Sequence, residues 1–273
     1  MMQTTLRQSL RFEGVGLHTG AHCSVEVRPA PADAGFTFLL GSIRVPATVE
    51  YVVDTTRATV LGRDGATVST TEHLLSALFA MGVTNAEIVV DGPEIPVRDG
   101  SASQFASAIA QCGLQEQFAP RKILELEEPA IVRDGDKLVA AFPAPSFRVR
   151  FVGDFPPPIG TQYFFGEIDP KRYMEEIAGA RTFGYMHEVQ ALFARGLAQG
   201  GSLENALIFT DDGPLQPLRW PNEAVRHKVL DLIGDLALLG AWPRCELIAF
   251  KSGHELHCSL TTALRSRLRV PSA

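Results

Sequence analysis

The chain has 273 residues, 45% hydrophobic and 21% charged, the composition of a soluble globular protein with room for one large domain or two modest ones. No stretch reaches the roughly 18 uninterrupted apolar residues of a membrane span, and the opening MMQTTLRQSLRF lacks an apolar core, so a cytoplasmic protein that does not span the membrane is expected. A formal net charge of -6 speaks against a general nucleic-acid surface and confines any anion binding to a local basic pocket.

From Thr5 to Val90 the pattern reads mostly as strands, alternating in CSVEVRPA and β-rich in ATVEYVV and TRATVLG, with one helix from Glu72 to Met81. Ser69 and Glu72 fit a capping box at its start. A second helix follows DGSAS, where Ser101 or Ser103 can cap it and Gly113 stops it. Pro120, in the polar QFAPRK, marks a boundary. Strand patterns restart with ILELEEPAIVRDGDKLVAAF and FRVRFVG, and helices follow in PKRYMEEIAGA, MHEVQALFARG, PNEAVRHKVLDLIGDLALLG and within LHCSLTTALRSRL. Strands grouped with helices in each part predict an α+β fold of two units, 1–120 and 121–273, rather than an alternating parallel α/β fold. Cys23, Cys112, Cys245 and Cys258 stand far apart with no CxxC, which reads as buried thiols.

The helix of PNEAVRHKVLDLIGDLALLG carries the chemistry. Pro221 sits just inside its start and Gly240 closes it. Apolar residues from Ala224 to Leu239 cover most of its circumference, so it is largely buried. Yet His227, Asp231 and Asp235 recur every four residues and project from one face, a geometry in which imidazole and carboxylate suit one divalent ion. Gly234 in the same stripe costs about 1 kcal/mol relative to alanine, which makes sense if another backbone or a substrate approaches there. The alternative is a histidine–aspartate ion pair on a solvated face.

A catalytic zinc usually has three protein ligands and an open position. His73, in the first turn of the apolar helix LLSALFAMG, is the best third candidate, and Glu72 beside it is placed to take a proton from an activated water. Taken singly, Glu72 reads first as a cap and His73 first as a satisfied, partly buried histidine; it is their adjacency that favours the functional reading. HExxH is absent, which disfavours an ordinary zincin peptidase. His254, after FKSG at the end of the apolar strand ELIAF, falls where a loop presents side chains to a site, and can protonate a leaving amine. His257 is its decoy, a candidate for the surface, and His22 and His187 read as structural or surface residues.

Seven blocks now resemble a known family: GVGLHTG (14–20), STTEHLLSAL (69–78), PEIPVRDGSA (93–102), ARTFGYM (180–186), RGLAQGGSLENALI (195–208), VRHKVLDLIGDL (225–236) and KSGH (251–254). In this order, over nearly the whole chain, they are similar to the UDP-3-O-acyl-N-acetylglucosamine deacetylases of lipid A synthesis. The resemblance implies two similar two-layer domains, each a β-sheet packed on helices, with a small insert in the second. It implies zinc on His73, His227 and Asp231, Glu72 as general base, His254 as general acid and Asp235 orienting it. Thr182 and Lys228 would face the oxyanion; a buried lysine beside such a site is consistent with an anionic partner, although a surface lysine reads similarly.

The acyl chain would lie along 183–206, a stretch containing Phe183, Leu197, Gly201 and Ser202, though a plain helix and turn would read alike. Lys137, Lys251 and Gly253 are assigned to the UDP-sugar, with Phe155 under the uracil. GVGLHTG precedes a strand pattern and so fails the dinucleotide test; either a tight turn or a supporting role for His18 accounts for it. The partner implied is a small UDP-linked acylated glucosamine, and no protein partner is evident. Two other readings remain: a zinc that merely braces two domains, which its lack of cysteine ligands disfavours, and a metalloamidase acting on another acylated sugar. Iron is compatible with the same ligands.

Overall fold

The computed structural model describes residues 1–194 and 196–268. Arg195, the first residue of one matching block, and the tail 269–273 lie outside them. Six helices are described: α1 (Glu72–Ala80), α2 (Ser103–Cys112), α3 (Pro170–Glu176), α4 (Met186–Ala194), α5 (Glu223–Ala237) and α6 (His254–Arg265).

The two large sheets have the same winding. In the first, the hairpins Leu10–Val15/His22–Pro29 and Phe36–Leu40/Ile43–Pro46 flank Ala86–Asp91, which runs antiparallel to His22–Pro29 and parallel to Phe36–Leu40. In the second, the hairpins Ala130–Asp134/Lys137–Pro143 and Arg148–Asp154/Thr161–Glu167 flank Trp242–Phe250 with the same two orientations. One helix precedes each middle strand, α1 or α5, and another follows it, α2 or α6. The chain is thus an α+β fold of sheets packed on helices, and its middle strands, paired on both sides, read in sequence as the apolar runs AEIVV and ELIAF.

Extra chain enters both halves at the same joint. Val52–Asp54, Val60–Arg63 and Ala66–Val68 form a small sheet ahead of α1. Ahead of α5, Phe183–Tyr185, Leu207–Thr210 and Gly213–Pro214 form another, with α4 between its first two strands. Every residue of α1 is buried, and α5 buries Val225, Val229, Leu232, Ile233 and Leu236. The two helices pack on each other within one core cluster, each fully buried aliphatic side chain contributing roughly 1.5–3 kcal/mol.

Several local expectations are corrected. ATVEYVV is a single turn of tight helix, Val49–Tyr51, leading into Val52–Asp54. QFAPRK is no loose linker: Leu114–Pro120 pairs antiparallel with Met2–Leu6, and Pro120 stands at the end of this two-stranded edge, where it is tolerated. Thr71, not Ser69, precedes α1, with no side-chain cap, and Glu72 spends its carboxylate elsewhere. Ala102 precedes α2, while the Ser101 hydroxyl accepts from Ser103 N–H. Pro221 lies two residues before α5, and α6 begins at His254 rather than further on. Cys23, Cys245 and Cys258 are buried and Cys112 half-buried, all as free thiols.

Candidate active site

The α1–α5 contact is close because position 234 lacks a side chain. A Cβ there would strike the carbonyl oxygen of Glu72 and lie 2.7 Å from its carbonyl carbon. The start of α1 is thereby seated on the middle of α5, and His73 meets His227 edge-on, with ring centroids 5.0 Å apart.

His73, His227 and Asp231 converge, with ligand atoms all within 4.8 Å of one another and all three side chains buried. His227 Nδ1 lies 3.0 Å from Ala180 O, so it carries the proton and leaves Nε2 as a lone pair toward Asp231 Oδ1, at 3.4 Å. His73 Nε2 is 3.8 Å from the same oxygen. Burial lowers both imidazole pKa values, His73 to about 3, so neither ring brings a second proton. For Asp231 burial works against the charge, but His227 and Lys228 outweigh it and hold the carboxyl below its ordinary range. Asp231 Oδ1 is buried without a hydrogen-bond partner. Two imidazole nitrogens and a carboxylate oxygen with no hydrogen-bond partner, gathered in one buried gap, could hold a divalent cation, and two nitrogens with one oxygen suit zinc.

Around this cluster the titratable groups are pushed apart. Burial raises Glu72 to about 7, with Asp231 and Asp235 adding to it, and its Oε2 accepts the Thr59 N–H at 3.1 Å. Burial also opposes charge on His254, but the Asp235 carboxylate 2.9 Å from its Nδ1 overrides it and lifts the imidazole to about 9. Lys228 Nζ donates to Asp231 Oδ2 at 2.9 Å, and that pairing raises its pKa against the cost of burial.

Asp235 holds three groups. Oδ2 accepts from His254 Nδ1 and, at 2.8 Å, from His257 Nδ1, and Oδ1 accepts from the Thr59 hydroxyl at 2.5 Å. His257 is therefore not a surface residue. It is fully enclosed, its burial lowers its pKa, and its Nε2 accepts from the Ser252 hydroxyl at 2.9 Å. His22 and His187 are both exposed, the His187 ring stacking on Tyr185.

Glu72, His73, His227, Lys228, Asp231 and His254 line a cavity of about 430 Å³, with Asp235 and His257 behind its wall. Thr182 and Phe183 reach it because the preceding Arg181 is locked: its guanidinium donates to the fully buried Glu223 at 2.8 and 3.1 Å, a paired fork that satisfies both charges. Phe183 stands 6.1 Å from the His227 ring. Leu192, Phe193, Ala198, Leu203 and Ala206 continue the wall as an apolar groove, with Gly201 and Ser202 among them. His18 also lines it.

Two contributors escaped the sequence reading. Glu94, fully buried, accepts the backbone N–H groups of His18 and Thr19 and the Thr70 hydroxyl, and so clamps the GVGLHTG turn to the start of α1. Only glycine fits at 16, where a Cβ would enter the Glu94 carboxylate. Arg57 stands exposed in the cavity wall, held at φ 71°; nothing in TTRATV marked it.

The remaining assignments fall outside the cavity. Lys137 is exposed at a hairpin turn. Lys251 is tied to Asp136 and Asp154, both at 2.9 Å, and so has its charge already matched. Phe155 lies behind the wall, 5.4 Å from the Phe183 ring. Leu197 bonds through its N–H to Leu192 O in the turn after α4. Gly253 precedes His254 at the start of α6 and makes no wall.

The sequence profile of the UDP-3-O-acyl N-acetylglycosamine deacetylase family matches residues 3–266. The chain belongs to that family. A UDP-3-O-acyl-N-acetylglucosamine deacetylase of Myxococcus xanthus (strain DK1622) is 44% identical over 271 residues, 97% of this chain and 86% of its own. Proteins of the same name from Phenylobacterium zucineum (strain HLK1), 45% identical over 276 residues, and from Nostoc sp. (strain PCC 7120 / SAG 25.82 / UTEX 2576), 44% over 271, cover 98% and 95% of this chain and 94% and 97% of their own. Family membership thus extends over both large sheets and every element that supplies the cavity.

Proposed function

We propose that the chain is a zinc-dependent amidohydrolase that removes the N-acetyl group of UDP-3-O-(3-hydroxyacyl)-N-acetylglucosamine, releasing acetate, as a cytoplasmic step of lipid A synthesis. The observation that carries it is the orphaned Asp231 Oδ1 between two imidazole nitrogens, beside a buried carboxyl and at the head of an apolar groove. Among the described residues, no helix is long and apolar enough to cross a membrane. In this reading the work is shared between two units, 1–120 supplying Glu72, His73 and Arg57 and 121–273 supplying His227, Asp231, His254 and the apolar groove.

His73, His227 and Asp231 would hold the zinc, which lends Lewis acidity to a water and to the amide carbonyl. Glu72 accepts the proton of the attacking water; its raised pKa suits a base near neutrality. As the carbonyl carbon turns tetrahedral, Thr182 and Lys228 offer hydrogen bonds to the oxygen on which charge develops. His254, kept protonated by Asp235, gives its Nε2 proton to the nitrogen as the carbon–nitrogen bond breaks. Phe183, Gly201 and Ser202 flank the acyl chain, while Leu197 and Gly253 serve through the backbone of their turns and Phe155 backs Phe183. For the diphosphate, Arg57 is a better placed cation than Lys137 or Lys251.

The test is acetate release from the UDP-sugar, with metal content measured alongside. Glu72→Gln keeps the acceptor for Thr59 N–H and should lose roughly 100-fold or more in kcat while retaining its zinc. A Glu72→Gln protein working at the wild-type rate would remove the base assignment. A zinc-loaded wild type that leaves this substrate intact yet deacylates another acylated sugar would move the function to that substrate.

A further inference from the structure

A second cavity, of about 230 Å³, opens at the other end of α1, walled by both halves of the chain. Its apolar face is Phe36, Phe79, Val83 and Trp242. The polar groups beside it are mostly matched. Gln3 donates to Asp33 at 2.8 Å, Asn85 donates to Gln3 at 2.8 Å, and Arg265 is held by Glu50 and by Leu239 O.

Among the half-buried groups Arg121 is the exception; the neighbouring Lys122 is exposed to solvent. The Arg121 guanidinium carbon lies 4.4 Å from the centroid of the Trp242 ring, half-buried, and no acceptor or carboxylate among the described residues meets it. Burial alone pushes it down to about 10. Its position is fixed by the backbone, since Arg121 N–H donates to Met1 O at 3.0 Å and Trp242 N–H to Lys122 O at 2.9 Å. A guanidinium stacked on an indole keeps its N–H edges free in a plane, a fork shaped for a carboxylate. Those donors open into the cavity without a protein acceptor among the described residues, so an anion entering it can take them.

We propose that this cavity binds a small organic monoanion, its carboxylate on Arg121 and its apolar body against Phe36 and Phe79. The site is separate from the catalytic cavity: the two share no wall residue, and α1 contributes Glu72 and His73 to one and Phe79 to the other. Lys122 also lines the cavity but is exposed, and the Asp33 carboxylate lies in the same wall, so Arg121, fixed on Trp242, is the cation placed for a single negative charge, and the apolar face calls for a body that inorganic phosphate lacks.

Titration calorimetry on the zinc-loaded protein with benzoate as probe decides it, with benzamide as the neutral control of the same shape and inorganic phosphate as the bodiless anion. Benzoate should bind once per chain, with benzamide and phosphate at least tenfold weaker. Arg121→Gln should weaken benzoate at least tenfold, with Arg121→Lys between, and both variants should keep wild-type turnover. Benzoate that does not bind, that binds Arg121→Gln unchanged, or that is matched by benzamide or phosphate overturns the proposal.

Discussion

Replacing Gly234 by alanine separates packing from helix propensity, because the two predict opposite signs. In an isolated helix the change is favourable by about 1 kcal/mol. Here the new Cβ would lie 2.7 Å from the carbonyl carbon of Glu72 and 2.9 Å from its Cα, whereas carbon atoms rest about 3.5–4.0 Å apart. The start of α1 must therefore retreat by about 1 Å, and the neighbour is backbone, which has no rotamer to yield. Overpacking of this kind costs about 1–3 kcal/mol, so the net change is neutral to destabilising by about 2 kcal/mol. The larger effect falls on catalysis, since Glu72 and His73 ride on the displaced turn, and about 1 Å of misplacement can cost about 100-fold. Acetate release with saturating zinc, joined to a thermal melt, measures both. A Gly234→Ala enzyme with a wild-type rate and a raised Tm would refute the close-approach account of this glycine.

Chelation should abolish turnover and lower Tm, and added zinc should restore both; binding at a thousandfold excess over Kd contributes about 4 kcal/mol, and a melt indifferent to chelator would count against the His73, His227 and Asp231 set. The pH–rate profile should fall on the basic side as His254 loses its proton near pH 9, and this limb should vanish in His254→Gln. By linkage, a histidine raised from 6.5 to about 9 stabilises the fold fully below pH about 6.5 and loses that contribution as pH rises through 9, so denaturant titrations should show stability declining across that window in wild type more than in His254→Gln. Ala206→Phe, which fills the apolar groove, should lower kcat/KM for long-acyl substrates by about 10-fold or more and spare a short-acyl analogue; equal losses on both would remove the groove from acyl binding.

The α5 stripe was legible because helical spacing alone puts His227, Asp231 and Asp235 on one face, and Gly234 among them announced a close neighbour. Which neighbour it was depends on how α1 docks, a tertiary fact. The capping box at Ser69 and Glu72 failed for a related reason: the carboxylate that local spacing gave to a cap is taken by Thr59 N–H, thirteen residues upstream. His257 looked expendable because a lone histidine carries no sign of burial, yet Asp235 holds it as closely as it holds His254. Lys137 and Lys251 carry no sequence signal beyond their charge, and the carboxylates that occupy Lys251 arrive from a turn and a strand end that no periodicity links to it. The shared winding of the two sheets left no trace in the letters, since strand order is set by which apolar edges meet and many sequences satisfy it.

That both halves accept additional chain at the same joint, just ahead of the helix before the middle strand, gives the architecture a natural cassette position. Residues there can lengthen, shorten or be exchanged without rethreading either sheet, because the strands on each side of the joint are anchored by partners elsewhere. The 183–214 stretch, which supplies the apolar wall, is such a cassette. Transplanting it between relatives would be the economical route to recasting the groove, with the histidines and carboxylates of α1, α5 and α6 left in place.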